Sequence, residues 1–194
     1  MLGVTATQDW RDRKRADTRQ RIYETAMRLF GEHGFEAVSV GQIAAAAGVS
    51  VPTFYAHFGS KEQVVLPVPS GEEIAGFLTL EPSDLPLGER IRRLAPHWFA
   101  QFPPEERVEL LARWRVVATT PGLRVRAAEY ERATAETMIE AFEKAGAPLE
   151  PAERVVATVY LTAFTAAFLS WADAAGAISL EDAAAEAFRP LRDL

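Results

Sequence analysis

Four polar side chains within a short stretch, Thr53, Tyr55, His57 and Lys61, carry groups that hydrogen-bond phosphates and base edges. A threonine hydroxyl bonds either of these, and its methyl group can contact a thymine methyl. Tyrosine and histidine donate to phosphate oxygens, and a protonated imidazole or a lysine ammonium adds positive charge. Their spacing suits a nucleic-acid contact if a helix turns them to one side.

The surrounding sequence, GVSVPTFYAHFGSK, predicts a short helix over Val51–Phe58. Ser50 is a suitable N-cap, and Pro52 is tolerated because it falls in the first turn. Gly59 would end this helix. A second short helix over Val40–Ala47 precedes it across a glycine-centred turn, and two helices joined in this way form a helix-turn-helix arrangement.

The helix over Val51–Phe58 needs one face for the protein core and another for a partner. Val51, Phe54 and Phe58 recur at helical spacing and are expected to form the inner stripe. The polar side chains named above then lie on the outer face or at its edge. The stretch is therefore interpreted as both a core helix and a surface that could contact DNA.

Charge is distributed unevenly along the chain. The net charge of −6 argues against a nucleic-acid partner for the chain as a whole. Residues 10–28, however, hold seven Lys/Arg against three Asp/Glu, whereas residues 67–194 have a net charge of −7. The N-terminal end could thus attract phosphate, and a solvated helix face is the alternative interpretation.

The composition excludes several kinds of site. The 194-residue chain has no cysteine, which rules out disulfides, thiolate metal sites and cysteine nucleophiles. Its three histidines are dispersed and no phosphate-binding glycine motif occurs, so we expect no metal and no cofactor. The N-terminus lacks a signal-peptide core, and the uncharged run over 155–172 is weakly hydrophobic. We therefore expect a cytoplasmic protein without a membrane span.

Helical periodicity extends along the whole chain, which predicts an all-α fold. The segment LPVPSG over 66–71 should interrupt any helix, and it suggests domains over 1–66 and 67–194. The Pro67/Pro69 break could shorten or kink the helix that couples them. The remaining helices are predicted over 17–32, 71–80, 87–102, 105–119, 123–145, 151–175 and 180–192.

Residues 12–66 resemble the tetracycline-repressor (TetR) family of bacterial transcription regulators. The matching positions are Gly34-Phe35, Ser39-Val40, Ile43-Ala44, Ala47-Gly48-Val49-Ser50, Phe54-Tyr55, His57-Phe58 and Lys61-Glu62. The resemblance implies a three-helix, helix-turn-helix DNA-binding domain followed by a helical bundle for ligand binding and dimerisation. It also implies a homodimer on a palindromic double-stranded operator, released when a small-molecule effector binds.

The family's DNA contacts can be carried over position by position. Three positions, Gly41, Val51 and Ala56, offer little hydrogen bonding where relatives often have longer side chains, so direct readout should be sparse. Gln42 and a basic arm over Arg11–Arg21 are expected to add specificity or affinity. The resemblance implies phosphate contacts at Ser39, Tyr55, His57 and Lys61, and base or base-flank contacts at Val51, Pro52 and Thr53.

The C-terminal region carries no motif, so its site residues follow from residue type and periodicity. An alternative gives the bundle no small-molecule role, only dimerisation or protein partners. An enzyme is not expected, because the bundle offers only scattered carboxylates and His97. Candidate pocket residues are His97, Trp98, Phe102, Trp114, Tyr130, Phe142, Tyr160 and Phe164, and the candidate dimer stripe is Val156, Tyr160, Ala163, Ala167 and Trp171.

Overall fold

The structure, a computed structural model, describes residues 6–78, 85–100, 102–144 and 148–191. Within these residues all regular secondary structure is helical, which confirms the predicted fold class. The chain divides into two compact units, which we call the N-terminal unit (Met1–Val65) and the C-terminal unit (Leu66–Leu194).

The N-terminal unit contains helices α1 (Ala6–His33), α2 (Val40–Ala46) and α3 (Val51–His57), followed by a single 3₁₀ turn (Glu62–Val64). One expectation was wrong here. Helix α1 is already formed at Ala6, so the basic stretch expected as an arm is helical. The polar side chains of the stretch support a helix because they are mostly good helix formers.

Apolar side chains of all three helices form the core of the N-terminal unit. Ile22, Ala26 and Phe30 lie on one stripe of α1 and are buried, as are Phe54 and Phe58 of α3. This confirms the two inward-facing phenylalanines predicted for α3.

Val51 was expected beside the two phenylalanines of α3, and this was wrong. Its side chain is 40% exposed. The residue opens the first turn of α3, directly after the N-cap Ser50, where the chain is only beginning to enter the core.

The turn between α2 and α3 depends on Gly48, whose φ is +66°. This left-handed conformation costs a residue with a Cβ free energy that glycine does not lose. It allows the Gly48 and Val49 amides to donate to the Ala45 and Ala44 carbonyls at 3.2 and 2.9 Å. The carbonyls at the end of α2 are thereby satisfied, and the chain is redirected into α3.

The C-terminal unit is a helical bundle arranged around its longest apolar helix, α8. Helices α5, α6, α7 and α9 all pack against α8. No helix runs through 66–70, in agreement with the break predicted at the two prolines. The helices are α4 (Gly71–Leu78), α5 (Leu87–Ala100), α6 (Pro104–Thr119), α7 (Pro121–Lys144), α8 (Pro151–Asp173) and α9 (Leu180–Phe188), with a final 3₁₀ turn (Arg189–Leu191).

Helix α8 is also the one helix, among those in the described residues, that is long and apolar enough to cross a membrane. Its position in the bundle gives another reason for that composition. Several of its side chains, including Ala157, Tyr160 and Phe168, are buried against neighbouring helices. Core helices of water-soluble bundles have the same apolar character.

The stripe of α8 that was expected to face a second copy of the chain lies in the core of its own bundle. Tyr160, Ala163, Ala167 and Trp171 are all buried, and Val156 is half-buried. The prediction was wrong because α8 is apolar or small-sided around most of its circumference. Its exposed face instead carries Val155, Thr158, Thr162, Ala166 and Ser170.

Candidate nucleic-acid interface and effector cavity

The first turn of α3 is fixed by its N-cap. The Ser50 hydroxyl accepts a hydrogen bond from the Thr53 amide at 3.1 Å and lies 2.8 Å from the Thr53 hydroxyl. Pro52 is exposed within this turn. The cap thus presents Pro52 to solvent but engages Thr53, whose side chain is half-buried.

Tyr55 is the most prominent side chain of α3, with 51% of its surface exposed. Its ring meets that of Phe54 edge-on, with centroids 5.5 Å apart and an interplanar angle of 88°. The base of the phenol therefore rests on a buried ring while the rest of the side chain is exposed. A phenol placed in this way can pack on the core with its ring and hydrogen-bond outward with its hydroxyl.

His57 closes α3 in a partly buried environment. Its Nδ1 is buried and has no hydrogen-bond partner among the described residues. Burial, followed by the positive charges of Arg15 and Arg19, lowers the pKa of His57. The lowered pKa favours neutral imidazole in the free protein, and an added anion such as phosphate would favour the charged form considered from the sequence.

Two arginines of α1 support the ends of the helix-turn-helix pair. The Arg19 guanidinium donates to the His57 carbonyl and lies 4.2 Å from the centroid of the Phe58 ring. Arg21 Nε donates to the Ala47 carbonyl at 3.1 Å. Both carbonyls lie at helix C-termini, where positive charge is favourable.

The sequence interpretation missed this supporting role because it placed both arginines in an arm. The signal was present in the periodicity of α1. The buried stripe that includes Ile22 reaches Arg19 when it is extended back by one turn. Positions on that stripe should contact the helices packed against α1.

Ser39 and Gln42 form a capping box at the start of α2. The Ser39 hydroxyl accepts from the Gln42 amide at 3.2 Å, and Gln42 Oε1 accepts from the Ser39 amide at 2.8 Å. Both residues are exposed. Gln42 Oε1 is thus occupied, so a DNA contact by Gln42 would come from its side-chain NH₂ group.

Lys61 has a structural role that was not expected from the sequence. Its ammonium donates to the Phe35 and Val38 carbonyls, both at 2.9 Å, and lies 4.2 Å from the centroid of the Phe35 ring. An ammonium has three donors, so one is left for a further acceptor. The bond to Val38 also places positive charge next to Ser39, at the start of α2.

The C-terminal unit contains a cavity of about 170 Å³ that is partly open to solvent and has predominantly apolar walls. Most of the wall comes from α7 and α8. It is completed by Pro69, which precedes α4, by Glu73 and Ile74 of α4, and by Ile91 of α5. The α7 residues are Tyr130, Glu131, Thr134 and Met138, and the α8 residues are Ala157, Tyr160, Leu161, Phe164, Thr165 and Phe168.

Three of the side chains expected in a pocket, Tyr130, Tyr160 and Phe164, line this cavity. Trp114 and Phe142 do not, because other side chains occupy their faces. The Trp114 ring stacks on that of Phe168 with centroids 4.6 Å apart, and Arg90 lies 5.7 Å from the Phe142 ring centroid.

The other three residues expected in the pocket, His97, Trp98 and Phe102, lie in the chain where α5 ends and α6 begins. Phe102 is half-buried there and is not part of the cavity wall. Its carbonyl accepts from Arg107 Nε at 3.0 Å, which ties it to the start of α6. The side chains of His97 and Trp98 lie outside the described residues.

The cavity also contains polar groups that the sequence interpretation missed. Glu131 is half-buried and accepts a hydrogen bond from the Thr162 hydroxyl at 2.9 Å. Glu73 Oε2 accepts from the Ser70 amide at 2.7 Å. Burial raises the pKa of Tyr130, so its phenol remains neutral. These carboxylates were missed because most glutamates on amphipathic helices are solvated.

Comparison with known proteins identifies the N-terminal unit directly. The family described as "Bacterial regulatory proteins, tetR family" matches residues 22–68, which include α2, the turn and α3. Over these residues the chain is similar to the tetR family of bacterial regulatory proteins. Its members are transcriptional regulators rather than enzymes, as expected from the sequence.

Two curated relatives extend the similarity beyond the N-terminal unit. The HTH-type transcriptional regulator TcmR of Streptomyces glaucescens is 35% identical over 135 residues, which cover 65% of this chain and 58% of TcmR. The HTH-type transcriptional repressor AcnR of Corynebacterium diphtheriae is 28% identical over 129 residues, which cover 65% of this chain and 64% of AcnR. The matched regions thus span less than two thirds of either relative.

A solved structure supports the fold over nearly the full chain. NalD, the secondary repressor of the MexAB-OprM multidrug efflux pump in Pseudomonas aeruginosa, aligns with a TM-score of 0.55. The alignment covers 93% of this chain and 100% of NalD at 22% identity. At this identity the likeness concerns the fold alone: an N-terminal helix-turn-helix and a C-terminal helical domain.

Proposed function

We propose that this chain is a sequence-specific transcriptional repressor of the TetR family that acts in the cytoplasm as a homodimer and releases its operator when a small molecule binds. The observation that carries the proposal is the division of α3 into a buried face, Phe54 and Phe58, and an exposed face that includes Tyr55. A helix anchored in this way can enter the major groove without losing its own core.

The proposed DNA contacts follow from the exposed groups of the N-terminal unit. Tyr55 and His57 would donate to phosphate oxygens, and Pro52, Thr53 and Val51 would contact base edges or thymine methyl groups. Ser39, Gln42 and Lys61 would add contacts from the groups that their structural hydrogen bonds leave available. Most contacts would therefore position the protein, and few would read the sequence.

The homodimer would use the exposed face of α8 in place of the buried stripe. Val155 is 63% exposed, and Thr158, Thr162, Ala166 and Ser170 continue along the same side. Such small side chains allow two helices to approach closely. Two copies related by a two-fold axis would address the two halves of a palindromic operator.

The cavity in the C-terminal unit supports a ligand-responsive role over one limited to dimerisation. It is apolar with a few polar groups, as small-molecule sites are. A ligand that bound the non-DNA-binding conformation more tightly would shift the population away from the operator. The free energy of this shift would be set by the difference between the ligand's binding free energies for the two conformations.

Binding of the purified protein to the DNA upstream of its own gene tests the proposal. We expect specific binding that weakens steeply with salt, because phosphate contacts release counterions. A Tyr55→Ala/His57→Ala variant should lose specific binding and keep its helical content. His33→Ala is the matched control, because this histidine is exposed at the end of α1, outside the proposed contacts.

Unchanged, sequence-independent binding by the double variant would refute the assignment of α3 as the recognition helix. An operator complex containing one copy of the chain would refute the dimer. Both measurements use the full chain without any ligand, so they test DNA recognition separately from effector binding.

A further inference from the structure

The size of the cavity in the C-terminal unit limits what it can hold. At about 170 Å³ it is close to an engineered apolar cavity of about 150 Å³ that stays dry and binds benzene. Ile91, Met138 and Leu161 contribute aliphatic surface to its wall. The part of a ligand that this cavity covers should therefore be a compact apolar body of one or two rings.

Aromatic rings make up a large part of the same wall. Tyr130, Tyr160, Phe164 and Phe168 all line the cavity. The faces of such rings carry negative electrostatic potential and attract organic cations, most strongly where water is excluded. The wall thus favours an aromatic or cationic guest over one that is only apolar.

The charged groups of the wall have one sign. Glu73 and Glu131 line the cavity, and no lysine, arginine or histidine does so among the residues whose side chains are described. Within those residues Glu131 has the Thr162 hydroxyl as its hydrogen-bond partner and no cation within 4 Å. A half-buried carboxylate held by one neutral donor would be stabilised by a cation placed in the cavity.

One basic side chain, Arg113, could instead favour an anionic ligand. Arg113 of α6 is half-buried, its Nε has no partner among the described residues, and its charge acts on Tyr130. Arg113 is not part of the wall, however. An anionic ligand in the cavity would also lie near the carboxylate of Glu131, which is part of the wall.

We infer that this cavity binds a compact organic cation, with an aromatic body packed among the four rings and an ammonium or amidinium group paired with Glu131. The inference rests on the proposed function in taking the cavity as the effector site. Glu73, which is exposed and already bonded to the Ser70 amide, would contribute a weaker attraction from the cavity edge.

Isothermal titration calorimetry on the full chain, with three probes of matched shape, tests the inference. The probes are 1-naphthylmethylammonium, 1-naphthylmethanol and 1-naphthoate, which differ in charge and little in size. We expect the ammonium compound to bind about tenfold or more tightly than the alcohol, since hydrogen bonds to charged groups exceed neutral ones. The naphthoate should bind most weakly.

A variant of Glu131 locates the charge that is responsible. Glu131→Gln keeps the shape and an acceptor for Thr162 but removes the negative charge. It should weaken binding of the ammonium probe by about tenfold or more and leave the alcohol unaffected, which also reports that the cavity is intact. Glu140→Gln, an exposed position on the same helix paired with Lys144, is the matched control and should change neither.

Three outcomes would overturn the inference: tightest binding of naphthoate, equal binding of the ammonium and alcohol probes, or no binding of any probe. If Glu131→Gln does not fold, the ranking of the three probes on the wild-type chain still decides. Because the titrations contain no DNA, these failures are distinct from a failure of operator binding. Conversely, loss of operator recognition in the Tyr55→Ala/His57→Ala variant would leave the probe ranking unchanged.

Discussion

Helices α3 and α8 differ in how sharply they separate a buried face from an exposed one. In α3 the fully buried Phe54 is followed directly by Tyr55, which is half exposed. In α8 the exposed Ala166 is followed directly by the buried Ala167, and the two residues are identical in type. Sequence reveals the inner face of a helix when the two faces differ chemically, and conceals it when they do not.

The largest expected effect tests this contrast within α3. Phe54→Ala should lower the free energy of unfolding of the N-terminal unit by about 3–5 kcal/mol, because it leaves a cavity in the core. Tyr55→Ala should change it by about 0.5 kcal/mol or less, as is usual for surface substitutions, while weakening DNA binding. Chemical denaturation followed by circular dichroism measures the first effect, and operator titration measures the second.

Equal destabilisation by the two substitutions would contradict the division of α3 into a core face and a reading face. Phe54→Leu serves as a graded control. It retains most of the buried apolar volume and should cost clearly less stability than Phe54→Ala.

The next effect concerns Lys61, which the sequence assigned to phosphate alone. Lys61→Met keeps the aliphatic stem but removes both hydrogen bonds to the Phe35 and Val38 carbonyls. The free energy of unfolding should fall by about 1.5–3 kcal/mol or more, since a single hydrogen bond made by a charged group contributes this much and two are lost. If the variant kept wild-type stability and bound DNA more weakly, Lys61 would contact phosphate only and would have no structural role.

In the N-terminal unit, the sequence supplied the helix-turn-helix and the two buried phenylalanines of α3. Local signals were sufficient there: Ser50 as a cap, Gly48 in the turn, and Phe54 with Phe58 at helical spacing. The missing parts were the contacts of α1 and Lys61 with distant carbonyls. Those contacts depend on which backbone groups the tertiary fold leaves unpaired, and spacing along the chain does not reveal this.

In the C-terminal unit, the helices could be predicted, but their rotation about their own axes could not. Aromatic residue type alone placed Trp114 and Phe142 in the pocket, although one stacks on Phe168 and the other packs beside Arg90. Glu131 lines the cavity and was missed. A cavity exists where packing between several helices is incomplete, so no single segment encodes it.

The proposed dimer face of α8 allows the comparison of α3 and α8 to be tested on α8 as well. Ala166→Arg should weaken dimerisation by about tenfold or more, because two-fold symmetry brings the added charges close together and like charges in an interface are costly. Ala128→Arg, on the exposed side of α7, is the matched control and should leave the dimer intact. Sedimentation velocity over a concentration series measures both.

Unaltered dimers of the Ala166→Arg variant would contradict the exposed face of α8 as the interface. The same substitution one residue further along, Ala167→Arg, should instead lower thermal stability strongly, because it forces a charge into a filled core. The two variants together would show which side of α8 is the inner one, as Phe54→Ala and Tyr55→Ala would for α3.

The smallest expected effect is a pH dependence at the end of α3. Burial and the charges of Arg15 and Arg19 lower the pKa of His57 from 6.5, so below this pH the unfolded chain binds the proton more readily than the folded one. The stabilising contribution of neutral His57 is therefore complete above pH 6.5 and is lost as the pH falls towards the lowered pKa. Denaturation of the wild type and of His57→Gln between pH 5 and 8 should give a shallower slope for the variant.

Arg15→Gln provides an independent check of the cause. Arg15 is exposed, so its replacement removes one positive charge near His57 without opening the core. The pKa of His57, followed by NMR of its ring protons, should rise in this variant. Operator DNA should raise it as well, because phosphate oxygens stabilise the imidazolium. If DNA left the pKa of His57 unchanged, the imidazole would not contact phosphate, and the proposed reading face would then rest on Tyr55 and the first turn of α3.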